Sequence, residues 1–245
     1  MRTFKAISLL LSYPSEDLQQ AMPAIREVLA DEGLVAGGAL DALTGRLEQA
    51  DIYAAQEEYV LLFDRSRSLS LNLFEHLHGE SRDRGSAMVD LLEMYREGGL
   101  DLDGTELPDH LPVLLEYLST RPLDEACGIL ADAGHIIAAL HERLTRRDSD
   151  YAAALGVLAA LAETTVETAE AQAILTQPDD NPEDLEALDA AWEETAVTFG
   201  PDPNGGCSLK RDLLGKIDLA RLESIRAHEA KSAAAKTPNP ASAAR

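Results

Sequence analysis

Two stretches concentrate the side chains that could do chemistry. Leu73 to Gly85, LFEHLHGESRDRG, holds Glu75, His76, His78, Glu80, Arg82, Asp83 and Arg84. Glu106 to Pro112, ELPDHLP, adds Glu106, Pro108, Asp109 and His110. The residue types allow three readings: a metal site on the histidines, an acid and base for hydrolysis, or a polar wall of a binding groove.

The metal reading depends on local structure. On a helix, side chains two positions apart point about 200° away from each other, so His76 and His78 could share an ion only from a loop. No third and fourth ligand stands at a recognised spacing. The structural alternative is a pair of histidines making local hydrogen bonds around a helix start. Asp109 with His110 offers half of a hydrolytic triad, but no GxSxG nucleophile turn occurs and no serine is singled out by context. Neither a GxxxxGK[ST] phosphate loop nor a GxGxxG turn is present. Catalysis therefore has no support in motif, and a metal-dependent hydrolase using Asp109, His110, His76 and His78 stands as the alternative function.

Both stretches fall between helical patterns. Ser81 is a candidate N-cap for a helix whose first turn holds Arg82, Asp83 and Arg84, and whose core face runs through Met88, Leu91, Leu92 and Tyr95 to the stop at Gly98-Gly99. The two arginines project from different sides, so one can hold neighbouring acids while the other faces solvent or a ligand. In ELPDHLP, Asp109 can cap the next helix with Pro112 in its first turn, where a missing N–H costs little. Capping does not require Glu106 or His110, which leaves them for function.

Helical periodicity continues through Leu111, Leu114, Leu115 and Leu118, then Leu123, Cys127, Leu130, Ile137, His141 and Leu144, then Tyr151, Leu155, Leu158 and Val166. A further helix is expected from NPEDLEALDAAWEETAVTF, with Asn181 as N-cap and Pro182 at its first position. No run alternates as a strand would, so the expected fold is all-α, a single helical-bundle domain over residues 1–199. Residues 200–230 read as a turn-rich connection and an amphipathic helix. Residues 231–245 are small and polar and read as a flexible tail.

Composition narrows the partners. Of 245 residues, 45 % are hydrophobic and 27 % charged, the balance of a globular protein. With 44 acidic against 21 basic side chains the net charge is -23, which repels nucleic acid and favours a basic partner, or serves solubility alone. The apolar run in MRTFKAISLLLSYPSEDL is too short and too soon acidic for an export signal. No segment approaches the ~18 apolar residues of a membrane span, so direct membrane insertion is not expected and a cytoplasmic location is. Cys127 and Cys207 form no CxxC pair, so neither a disulfide framework nor a zinc knuckle is indicated.

The strings YVLLFDRSRSLSLNLFEHLHGESRDRGSAMVDLL and ELPDHLPVLLEYLS, with LLSYP at Leu10 to Pro14 and LDAAWEE at Leu188 to Glu194, resemble the nitrate reductase molybdenum cofactor assembly chaperones. These belong to the redox enzyme maturation chaperones that include the TorD and DmsD types. The resemblance covers nearly everything except the C-terminal tail. It implies an all-helical fold with a peptide-binding groove and no catalysis. It also implies no stably bound cofactor, but assistance in inserting the molybdenum cofactor into the partner. The family's acid-x-Pro-Asp-His element corresponds to Glu106, Pro108, Asp109 and His110, and its aromatic-x-x-Leu-Phe element to Tyr59, Leu62 and Phe63. The implied partner is the apo α subunit of respiratory nitrate reductase, held through its basic N-terminal leader, or else a different molybdoenzyme. On that reading Leu73 to Gly85, with His76, His78, Arg82 and Asp83, borders the groove. Acidic guidance at long range and an apolar slot at contact would suit a leader that docks as a helix.

Overall fold

Apolar spacing near 3.6 residues forces one solution on this chain, helices laid against helices, because each stripe must be buried on another. The computed structural model describes residues 1–78, 83–102 and 106–179, without the side chains of His78 and Asp83. Among the described residues there are eleven α-helices and no strand. Ser81, Arg82, Asn181, Cys207, the expected boundary near Phe199, the 200–230 connection and the 231–245 tail lie outside the described residues.

The first helix, α1 (Arg2–Leu10), contains the apolar run that superficially resembles a signal. Its Phe4, Ile7 and Leu10 are completely buried, so the run forms part of the core. The helix packs on α2 (Glu16–Glu32) and α7 (Leu111–Ser119). Ser15 caps α2 through the Leu18 N–H at 3.1 Å, and Asp51 caps α4 (Ile52–Tyr59) through the amides of Tyr53 and Ala54. Between them lies α3 (Asp41–Gln49), packed on α2.

The chain then departs from regular helix. Residues Val60–Asp64 form a π-turn, closed by the Arg65 N–H on the Val60 carbonyl at 2.9 Å, and Arg67–Leu69 a 3-10 turn. Such π-turns occur at functional sites more often than in plain helix. A single-turn helix α5 (Glu75–His78) and then α6 (Asp83–Glu97) follow. The Gly98-Gly99 stop behaves as expected: Gly99 adopts φ 82°, and the amides of Gly99 and Leu100 bond to Arg96 and Tyr95.

The core face of α7 matches the sequence stripe, with Leu111, Leu114, Leu115 and Leu118 all buried. The stripe from Leu123 to Leu144 is carried by two helices, α8 (Leu123–Asp132) and α9 (Gly134–Arg146), which meet at Ala133. Gly134 opens α9 in close contact with its surroundings: a Cβ there would meet Thr164 Oγ1 at 2.2 Å. Val166 does not belong to the helix of Tyr151: α10 ends at Leu161, Glu163 turns to φ 51°, and α11 (Ala169–Leu175) starts afresh from a Thr168 cap. The helices α10 and α11 both pack on α9, which is thus the central element of this half.

Candidate functional site

The two charged stretches, well separated in sequence, are brought edge to edge. Asn72 and His110 form an isolated antiparallel bridge. The Leu73 N–H donates to the Asp109 carbonyl at 3.0 Å, and the Leu111 N–H to the Leu71 carbonyl at 2.8 Å. The bridge forms because both segments are connectors whose amides have no helical partner, and a buried amide must find one.

Asp109 is fully buried, and its Oδ2 accepts from the Phe74 N–H at 2.9 Å. This corrects the expectation that it caps α7: the cap position belongs to His110, which makes no side-chain cap bond. Asp109 instead holds the amide just before α5, because the bridge lays Leu73 and Phe74 over its side chain. Arg84 Nη2 lies 4.0 Å from that carboxylate and 3.3 Å from Glu75 Oε1, so this arginine is the one that holds neighbouring acids. Burial raises the Asp109 pKa, opposed by the Phe74 bond and by Arg84. Pro112 does lie in the first turn of α7, and Pro108 is buried with its carbonyl receiving the Tyr95 hydroxyl at 2.7 Å.

His110 faces the other way from its neighbour. Its Nδ1 lies 3.6 Å from Glu106 Oε2, with Glu106 61 % exposed and the imidazole 15 %. Burial lowers the His110 pKa, while the charges of Glu106 and Asp64 raise it. Burial and then Glu106 raise the pKa of Asp64, at the end of the π-turn, while His110 lowers it. Asp64, Glu106 and His110 therefore form one electrostatic unit at the surface, beside Leu107, which is 43 % exposed. Asp109 and His110 engage different neighbours, an arrangement unlike that of a catalytic dyad.

His76 and His78 both lie on α5. His76 is buried, and its ring Nε2 pairs with the Ser70 carbonyl at 2.8 Å, the local hydrogen bond expected of a structural histidine. Among the described residues no cluster of three or more histidine, cysteine or acidic side chains is placed to hold a metal. Cys127 is half-buried and unbridged.

Tyr59 and Phe63 point into the core rather than outward. They are 4 % and 5 % exposed, their rings are 4.9 Å apart, and both pack on Tyr151. The Tyr59 hydroxyl bonds to the Leu11 carbonyl at 3.0 Å. Their contribution is to hold the π-turn and so to place Asp64. Asp64 was not singled out in the sequence, although it directly follows Phe63. Arg143 was missed altogether: it is 1 % exposed, and its guanidinium bonds to the carbonyls of Ser68 and Ile174 at 2.6 and 2.9 Å. It looks like a surface residue in sequence, and only its interruption of a helical core face could have signalled burial. Among the described residues no helix is long and apolar enough to cross a membrane.

Residues 14–156 match the model of the nitrate reductase delta subunit family. The chain is 44 % identical over 207 residues to the nitrate reductase molybdenum cofactor assembly chaperone NarJ of Escherichia coli K12, covering 82 % of this chain and 86 % of the relative. It is 38 % identical over 207 residues to the probable assembly chaperone NarW of the same organism, covering 84 % and 87 %. Identity to the probable NarJ of Bacillus subtilis 168 is 30 % over 164 residues, covering 66 % and 88 %. Along most of its length, including both charged stretches and the helices that join them, the chain belongs to the nitrate reductase delta subunit family.

Proposed function

We propose that this chain is an assembly chaperone for respiratory nitrate reductase, working by binding and not by catalysis. It holds the apo catalytic α subunit, through that subunit's basic N-terminal leader, in a state that accepts the molybdenum cofactor and then assembles at the membrane. The observation that carries the reading is the 44 % identity, over most of both chains, to a relative named as such a chaperone. The geometry supports it in kind. Glu106, Asp64 and His110 form an acidic surface unit beside exposed Leu107, suited to a peptide that is both basic and apolar. Pro108, Asp109, His76, Tyr59 and Phe63 build that surface from below. His78, Arg82 and Asp83 are proposed to border it. The chaperone itself retains no cofactor, and it acts in the cytoplasm.

The test is capture of the tagged full chain from nitrate-respiring cells, with identification of the main co-purifying protein and its molybdenum content. Recovery of the nitrate reductase α subunit, with cofactor-poor reductase accumulating in cells lacking the chain, is expected. Recovery of another molybdoenzyme would move the assignment within the family. Fully loaded reductase in the deletion strain would reject the role.

A further inference from the structure

The two exposed aromatic side chains among the described residues meet at one place. Tyr53 is 77 % and Tyr13 50 % exposed, and they line a cleft of about 310 Å3 with Gln56, Glu57, Val60, Leu61 and Arg65. That volume is at the low end of the roughly 300 to 1,000 Å3 of ligand pockets, so it takes a side chain or two and not a folded element. The cleft is built, not incidental. The Tyr13 ring stands edge-on to buried Tyr59 at 5.6 Å, Gln56 Nε2 donates to the Pro14 carbonyl at 2.9 Å, and the Asp51 cap fixes the turn that carries Tyr53. The end of α4 and the π-turn have two outputs: Tyr59 and Phe63 are buried while Val60 and Leu61 line the cleft.

We propose that this cleft is the apolar anchor of the leader, seating an aliphatic side chain between Tyr13 and Tyr53 while a neighbouring lysine or arginine meets Glu57 and Asp64. The inference rests on the assembly-chaperone reading. Continuity supports the assignment, since Leu61 and Asp64 belong to one turn that Arg65 closes, and Asp64 is the member of that turn that interacts with Glu106 and His110. Charge selects the occupant. A second copy of this chain would set two molecules of net charge -23 against each other, whereas a basic peptide is drawn to the exposed carboxylates of Glu57, Asp64 and Glu106.

The test is calorimetric titration of the full chain with a synthetic peptide copying the amino-terminal segment of the nitrate reductase catalytic subunit. Tyr53→Ala is expected to weaken binding about tenfold at unchanged melting temperature, Tyr53→Phe to bind like wild type, and Val89→Ala, at an exposed apolar position elsewhere, to change nothing. Leu61→Gln provides a second probe of the same cleft. Wild-type affinity in both Tyr53→Ala and Leu61→Gln, with a wild-type chain that binds the peptide, would overturn the cleft and leave the chaperone reading standing. A wild-type chain that takes no leader peptide would overturn both. A dimer in sedimentation that Tyr53→Ala dissociates would give the cleft to a second copy and overturn the proposal.

Discussion

Asp109 shows how much one buried acceptor can be asked to do. Its carboxylate satisfies the Phe74 amide and lies near Arg84, with no exposed surface of its own. Replacing it with alanine removes the carboxylate acceptor of the Phe74 N–H, a loss of about 1 to 3 kcal/mol, which for a chain of this size lowers the melting temperature by roughly 2 to 4 °C per kcal/mol. Asp109→Asn keeps an acceptor for Phe74 and is expected to cost less, as thermal denaturation of the two variants would show. The pH dependence has a definite sign. Burial raises the folded pKa above the ordinary 3.8, so the stabilisation by this group is complete below that value and is lost as pH rises through the folded pKa. His76 behaves oppositely. Burial lowers its pKa from 6.5, so its contribution is present above 6.5 and is lost as pH falls through the folded value. A His76→Gln variant should lose less stability than wild type between neutral and mildly acidic pH, and an unchanged pH profile would show that His76 is not the sensor.

Helix ends and helix crossings decide how the elements hold together. The carboxylate of Glu32, at the end of α2, accepts from the Arg2 and Thr3 amides at 2.9 Å each and from the Thr3 hydroxyl at 2.8 Å, serving the open end of α1. Burial works against the charged form, but these bonds outweigh it and bring the pKa down to about 2. The resulting stability is fully present above about 4.5 and is lost as pH falls through about 2. Glu32→Gln should therefore be less stable at neutral pH and show a flatter acid limb in denaturant titrations. On the other side of the bundle, Arg143 of α9 fixes α11 and the Arg67–Leu69 turn by donating to three carbonyls, those of Ser68, Ile174 and Gln177. Arg143→Leu deprives them of their charged donor. A loss on the order of 3 kcal/mol is expected in chemical denaturation, and a loss below about 1 kcal/mol would mean that the carbonyls find other donors.

At the scale of the whole molecule, the charge of -23 and the packed helical core act over different distances. Exposed charges are screened beyond about 8 to 10 Å near physiological ionic strength, while apolar contact is not. Affinity for a basic leader peptide should fall as salt rises from low to moderate and then level off above zero. Salt-independent binding would remove the electrostatic steering, and abolished binding would remove the apolar contact. The local half of this architecture was legible in the sequence. The stripe on α7, the Gly98-Gly99 stop and the place of Pro112 follow from spacing within a few residues, where a helix brings i and i+4 together whatever surrounds it, whereas on α6 it is Ala87 and Tyr95 that are buried, with Met88 and Leu92 only partly so. The partner of Asp109 was not legible, because Phe74 stands 35 residues away and only the tertiary fold lays the two connectors side by side. For the same reason Arg143 reads as a surface cation until Ser68, 75 residues earlier, closes over it. Spacing along the chain determined which side chains share a helical face, and tertiary packing alone decided which distant backbone groups those side chains must satisfy.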